Sequence, residues 1–440
     1  MNNIDLLLHA RWLVTVDADN RVLDNHCLAI QAGEIIDILP TAEAATRYVA
    51  RQQQYFDQHV LMPGMINTHT HAAMNLMRGI ADDLPLMEWL EQHIWPTEAR
   101  WVSSEFVRDG TRLAIAEMLR GGTTCFNDMY FFPDEVARVA SEAGIRASIG
   151  LIVIDFPTVW ANDAGEYISK GLQVHDQVRD NTLITTAFAP HAPYTVSDAP
   201  LQKPNMLAEE LDIPVHMHVH ETSNEVGTAL KNNGQRPLDR LHGLGLLSPR
   251  LLAVHMTQLT PADIQLVAAT GTHILHCPAS NLKLASGFCP VQNLLDAGVN
   301  VCLGTDGAAS NNSLDMFGEI RLAALLAKGV SADPCSVDAF TALRMATING
   351  ARALGIDDIT GSLETGKAAD VIAIDMAHIE TQPMFEPVSQ IVYATGRQHV
   401  SDAWVAGRPL LRDGRHTTLS AKAVLETPQD WTGRPPAQAP

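Results

Sequence analysis

The sequence predicts an α/β protein, a (β/α)8 TIM-like barrel with a small β-sandwich domain built from both chain ends. Three observations predict it. From about residue 60 to residue 306, eight short apolar runs each give way to a loop and then to a stretch with helical spacing. Residues 4–58 and the chain after Gly366 read instead as short alternating strands broken by polar turns. Histidines recur at the ends of the apolar runs.

Taken in order, Trp12–Val16 and Cys27–Ile30 are strand-like, and Asp17-Ala18-Asp19-Asn20 is a turn between them. The eight barrel strands are expected at Met65–His71, Thr123–Asp128, Ile145–Gly150, Leu183–Ala189, Pro214–His220, Leu251–His255, His273–Cys277 and Val299–Asp306. The helices between them carry ordinary boundary signals. Ser103 or Ser104 caps Phe106–Arg120, and Gly121-Gly122 ends it. An open doubly wound sheet is disfavoured, because no G-x-G-x-x-G follows an early strand. Asp370–Ile374 and Val400–Val405 return to strand pattern, and the Pro-rich residues 428–440 read as a loose tail. The expected division is 1–58 and 366–440 for the small β domain and 59–365 for the barrel.

Thirty basic against fifty acidic residues leave a net charge of −20, with no Lys/Arg run, so neither nucleic acid nor a membrane surface is an expected partner. The six cysteines form no C-x-x-C pair and no disulfide framework. No leader pattern and no apolar run of about 18 residues is apparent. The expected setting is cytoplasmic.

Catalytic groups of such a barrel gather at the C-terminal ends of its strands. His69 and His71 close the first predicted strand, His191 follows the fourth, His218 and His220 close the fifth, and His255, His276 and Asp306 close the last three. In Asn67-Thr68-His69-Thr70-His71 the imidazoles are two apart and share one strand face. Two buried, hydrogen-bonded histidines are the bland alternative; the strand end after Pro63-Gly64 favours a shared cation. His216-Met217-His218-Val219-His220-Glu221 sets three imidazoles on one face, and spacing leaves His218 and His220 as alternative ligands. Asp306, in Gly304-Thr305-Asp306-Gly307, is an exposed carboxylate or an Asx turn. Three imidazoles and a carboxylate suit Zn2+ or another borderline ion, which lowers a water pKa from 15.7 to roughly 7 and so implies hydrolysis. Glu221 near Asp306 would make a carboxylate pair able to move protons.

These residues carry a resemblance. Pro63–His71, His218-x-x-Glu221, His255, Gly304-Thr305-Asp306 and the return Gly361-Ser362-Leu363-Glu364-Thr365-Gly366-Lys367-Ala368-Ala369-Asp370 resemble the amidohydrolase superfamily. No lysine closes strand four and His191 lies there instead, which resembles its mononuclear deaminase branch. Arg78-Gly79, Glu88-Trp89-Leu90, Trp95-Pro96-Thr97-Glu98, Ala189–Tyr194, Pro278–Leu284 and Asp306–Asn312 resemble the 5′-methylthioadenosine/S-adenosylhomocysteine deaminases. The resemblance implies one divalent ion per subunit, Zn2+ foremost, held by His69, His71, His218 and Asp306. It implies catalytic roles for Glu221, His255 and Asp306. Glu98 would accept ribose hydroxyls, Trp89 would pack on the substrate, and His191, Glu221 and Ser310 would contact it. The implied reaction adds water to C6 of adenine, with Asp306 taking its proton and Glu221 protonating N1, and expels ammonia. A homo-oligomer is common among such enzymes.

One departure bears on substrate. Relatives that favour S-adenosylhomocysteine carry an arginine soon after strand three; here that position reads Leu151, and residues 155–169 contain no arginine. The expected order is methylthioadenosine first, adenosine possible, S-adenosylhomocysteine poor. Trp95 and Trp101 are as readily core as substrate contacts, Met74, Met77 and Met87 flank the site and weakly suggest a 5′ pocket, and His242, His273 and His378 read as surface or structural. The rivals are a guanine or cytosine deaminase or a chlorotriazine hydrolase on the same scaffold, and a non-catalytic amidohydrolase-like scaffold protein.

Overall fold

A computed structural model describes residues 2–433. Its central sheet runs through Met65–Thr70 (β1), Thr123–Tyr130 (β2), Arg146–Val153 (β3), Ile184–Pro190 (β4), Val215–Val219 (β5), Leu251–His255 (β6), His273–His276 (β7) and Val301–Leu303 (β8) in sequence order. Every neighbouring pair is parallel. Helices cover the outside, so every residue of β3 is buried on both faces, and the strand reads as an almost unbroken apolar run.

The seam between β8 and β1 closes by individual bonds. Thr68 Oγ1 donates to the Leu303 carbonyl at 2.8 Å, and the Asp306 amide donates to the His69 carbonyl at 2.9 Å. The Asn67 side chain accepts from the Thr305 amide at 3.0 Å and donates to its hydroxyl at 2.8 Å. Gly304 permits this approach, since a Cβ there would stand 2.7 Å from the His69 nitrogen. The seam thereby sets the ends of strands one and eight side by side.

Local chemistry starts and stops the helices as expected. Ser103 Oγ accepts from the Phe106 amide at 3.2 Å to cap Ser104–Arg120, and Gly122 turns the chain away at φ +78°. The second sheet runs from Arg415–His416 through Arg408–Arg412, Val400–Val405, Val371–Asp375, Tyr48–Pro63, Asn2–Val14 and Val22–Gln31 to Glu34–Pro40. Val371–Asp375 pairs antiparallel with the end of Tyr48–Pro63, which joins the two chain ends in one sheet.

Arg146 at the start of β3 forms a buried two-pronged pair with Asp370, at 2.9 and 3.2 Å, and Asp370 also accepts from the Ala406 amide at 2.7 Å. Arg146→Met strands that carboxylate without its partner. The expected cost is about 3–5 kcal/mol, read as a lowered Tm in a thermal melt; an unchanged Tm refutes it.

Two expectations change. The strand expected to reach Asp306 ends at Leu303, because the chain leaves the ladder and Asp306 turns at φ +63°. The Pro-rich stretch is not loose where it begins: Ala421–Thr432 is helical through Pro428, and Trp431 is buried edge-on against Phe106, with ring centroids 5.1 Å apart. Residues 434–440 of that tail lie outside the described residues. Among the described residues, no helix is long and apolar enough to cross a membrane.

Candidate active site

Four polar side chains meet where the barrel strands end. His69 Nε2 lies 3.2 Å from His218 Nε2 and 3.4 Å from Asp306 Oδ1, and His71 Nε2 lies 3.3 Å from the same oxygen. Donors 2.0–2.1 Å from one tetrahedral ion stand about 3.3–3.4 Å apart, so this spacing fits a single cation. His69, His71 and His218 form one group able to hold a metal ion, and His69, His255 and Asp306 form another.

The outer nitrogens are already engaged, which aims the inner ones. His71 Nδ1 meets the Met129 carbonyl at 2.6 Å, His218 Nδ1 the His191 carbonyl at 2.8 Å, and His69 Nδ1 the ring of His216 at 2.9 Å. With Nδ1 fixed in this way, each Nε2 lone pair is left for a ligand. Burial lowers the His69 pKa to about 4 and that of His218 well below its ordinary range, so both are neutral at pH 7. Burial opposes a charge on Asp306, but its contacts with His69 first and then with the neighbouring imidazoles outweigh it and hold the carboxyl well below its usual range. Ser280 Oγ and the Gly307 amide donate to its two oxygens at 2.6 and 2.7 Å. Neutral imidazoles around an ionised carboxylate are the protonation state that binds a divalent ion.

The backbone separates His218 from His220. His220 adopts φ +53° and its Nε2 accepts from the Leu238 amide at 3.2 Å, away from the cluster. His255 and Asp306 are also left-handed, at φ +74° and +63°. Such strain costs about 1–3 kcal/mol per residue and concentrates where side chains are aimed for function.

Glu221 is buried with its Oε2 3.8 Å from His255 Nε2. Burial first, and the Asp306 charge second, raise its pKa to about 8. His255 Nδ1 faces Asn281 Oδ1 at 2.9 Å, which places the proton on Nδ1 and leaves Nε2 as an acceptor. Glu225 accepts from the His220 and Glu221 amides at 3.0 and 2.7 Å and so fixes the loop that carries Glu221.

A cavity of about 490 Å³ opens above the cluster, and Trp89, Glu98, His191, Glu221, His255 and Ser310 all line it. Trp95 and Met74 line it too, while Trp101 packs into the core beside Phe106 and Trp431, and Met77 is buried outside the cavity. Tyr130 OH donates to Glu98 Oε1 at 2.7 Å, which leaves the other oxygen free, and burial raises the Glu98 pKa to about 7. The far wall is apolar, built from Ile152, Ile154, Phe156, Pro157 and Val159, and among the described residues that line the cavity none is lysine or arginine. Leu151 itself faces outward, its Cβ close to Gly171 of helix Ala164–Val178.

A family model described as "Amidohydrolase family" matches residues 60–410. The chain is 51% identical over 428 residues to a 5-methylthioadenosine/S-adenosylhomocysteine deaminase of Teredinibacter turnerae, covering 97% of each. The chain belongs to the methylthioadenosine/S-adenosylhomocysteine deaminase family of the amidohydrolases. It is similar also to a 5′-deoxyadenosine deaminase of Methanothermobacter thermautotrophicus, at 44% identity over 83% of this chain and 85% of the relative. The crystal structure of an adenosine deaminase from Xanthomonas campestris with bound zinc superposes with a TM-score of 0.97, at 52% identity and over 98% of this chain and 99% of that one. This deaminase-family barrel is thus an enzyme with one divalent-metal site, for which Zn2+ is the expected ion.

Sequence reasoning missed Tyr130 and Glu225, gave Asn281 and Ser280 no role, and named His216 only as one of three imidazoles on a strand face. Asn281 and Ser280 lie within the motif Pro278–Leu284, so the motif was visible and its geometry was not.

Proposed function

We propose that the protein deaminates 5′-methylthioadenosine to 5′-methylthioinosine and ammonia, with adenosine also accepted and S-adenosylhomocysteine a weaker substrate. The observation that carries this is one cavity with the metal-binding cluster at its floor, the Glu98 carboxylate at its side and an apolar, cation-free far wall. In this proposal His69, His71, His218 and Asp306 hold the ion, which when bound supplies Lewis-acid activation of water.

The chain's own groups do the rest. Asp306, ionised at neutral pH, takes the proton of the attacking water. Glu221, protonated at neutral pH, gives its proton to ring nitrogen N1 as the oxygen adds at C6. His255 Nε2, an acceptor because Asn281 holds Nδ1, orients the water. The proton held by Asp306 then passes to the leaving amine; the C6–N bond breaks, ammonia departs, and the second proton of the added water leaves the C6 oxygen as the carbonyl forms, returning Glu221 to its protonated state. Glu98 binds the ribose hydroxyls, Trp89 packs on the nucleoside, and His191 and Ser310 contact it.

The substrate order follows from the far wall. A methylthio group is apolar and fits it, whereas the homocysteine carboxylate finds no bidentate partner. That missing charge-assisted bond is worth about 1.5–3 kcal/mol, or roughly one to two powers of ten in affinity. Incubation with methylthioadenosine, adenosine, S-adenosylhomocysteine and guanine, with ammonia followed, tests the proposal. Methylthioadenosine is expected to have the highest kcat/KM; an equal or higher value for S-adenosylhomocysteine reverses the order, and guanine as the best substrate rejects the nucleoside reading. Glu98 argues for a nucleoside over a free base or a triazine, neither of which has hydroxyls for it to bind. A non-catalytic scaffold has no need of the converged donors.

Six free cysteines, five of them buried, support a reducing, cytoplasmic setting. The net charge of −20 supports a partner set without nucleic acid. A homo-oligomer is proposed from the family resemblance, to be read by sedimentation.

A further inference from the structure

The small sheet holds a second group of metal-ligating side chains. His378 and Glu380 follow strand Val371–Asp375, and His399 immediately precedes the adjacent strand Val400–Val405. One ligand atom from each of the three lies within 4.8 Å of the others. His399 Nε2 is 3.0 Å from Glu380 Oε1, and the two imidazole rings meet edge-on with centroids 4.7 Å apart. Read from sequence alone, His378 was a surface or structural residue without a constellation; the fold supplies one by bringing the two strand ends together.

The surroundings are those of ligating histidines. The backbone of Gly396 holds His399 Nδ1, at 3.0 Å from its amide and 3.1 Å from its carbonyl, which fixes the ring and aims Nε2 at Glu380. Asp375 Oδ2 stands 3.4 Å from His378 Nε2 and brings a second carboxylate to the cluster. A plain His399–Glu380 ion pair accounts for one imidazole. It does not account for a second imidazole set against the same carboxylate with an acidic partner of its own. The buried His399 gives a fixed anchor, while the half-exposed side chains of His378 (42%) and Glu380 (54%) give an ion a way in from solvent.

We propose that His378, Glu380 and His399 form a second divalent-cation site, sharing no residue with the barrel site, that ties the turn after one strand to the start of its neighbour. Two imidazoles and a carboxylate select borderline ions of the zinc, copper and nickel class over calcium or magnesium, which take oxygen ligands.

The test uses the holoenzyme with its barrel site already filled by Zn2+. Titration with further Zn2+ followed by equilibrium dialysis is expected to show a second bound equivalent, and Cu2+ placed there is expected to show hyperfine coupling to two imidazole nitrogens. His378→Ala and Glu380→Gln alter solvent-reaching side chains and leave the buried His399 in place. Each is expected to weaken the second equivalent by about tenfold or more, with the first equivalent and deaminase turnover unchanged. Absence of a second equivalent overturns the proposal, as does either variant binding it as tightly as the parent.

Discussion

Glu221→Gln is expected to keep the parental metal content and to lose about 10²–10⁴ in kcat, the usual worth of a positioned proton donor. The two effects separate because Glu221 belongs to neither metal-binding group at the strand ends. Glutamine matches the carboxyl in size and can still accept from neighbouring donors, but it has no acidic proton for N1. The same group sets the pH profile. Burial, followed by the Asp306 charge, raises the Glu221 pKa to about 8. A raised carboxyl stays protonated below that value and ionises above it, so the acid is present through neutrality and is lost as the pH climbs. The parent is therefore expected to show an alkaline limb in kcat/KM near pH 8, and the variant's residual rate should lack it. A variant that turns over at the parental rate, or one purified without metal, removes Glu221 from the proton-donor role.

The barrel was legible because its strands are short apolar runs alternating with loops and helically spaced stretches, a pattern that depends only on neighbours in sequence. Periodicity placed β1 through β7 but ended β2 two residues and β3 three residues early, and it extended the eighth strand to Asp306. Gly304-Thr305-Asp306-Gly307 gave a local turn signal, but that the chain leaves the ladder after Leu303 and bonds back through the Asp306 amide to His69 shows only in the folded barrel. The same division runs through the site. His69, His71, His218 and Asp306 were visible as polar strand ends. The groups that aim them were not, because His216 reaches His69, the Met129 carbonyl reaches His71 and Asn281 reaches His255 only once the barrel has closed. Ambiguity between His218 and His220 had the same source: alternation places both on one face, and the backbone turn at His220 then removes one of them. His378 shows the cost of reading histidines singly, since its partner His399 lies beyond helix Pro387–Tyr393 in sequence.

Asp306→Asn should lose the ion and the reaction together, in contrast to Glu221→Gln. Asp306 Oδ1 lies within 3.4 Å of both His69 and His71 Nε2, and its two oxygens also accept from Gly307 and Ser280. An asparagine offers one acceptor oxygen and an NH2 group. Whichever way it turns, the NH2 faces a donor, either the Ser280 hydroxyl or the Gly307 amide, and the site is one negative charge poorer toward a divalent cation. Two losses then compound: weaker metal binding removes the activation that brings a water pKa from 15.7 to roughly 7, and the proton acceptor is gone. We expect turnover to fall by about 10⁴ or more, at the upper end of what a single acid–base group contributes. Chelation of the parent separates the two losses. Apo parent should recover its ammonia release when Zn2+ is returned, whereas the variant should remain inactive even in enough Zn2+ to refill the site by metal analysis. Recovery of the refilled variant to near the parental rate leaves Asp306 as a ligand only and transfers the water's proton to another group, of which His255 is the nearest candidate.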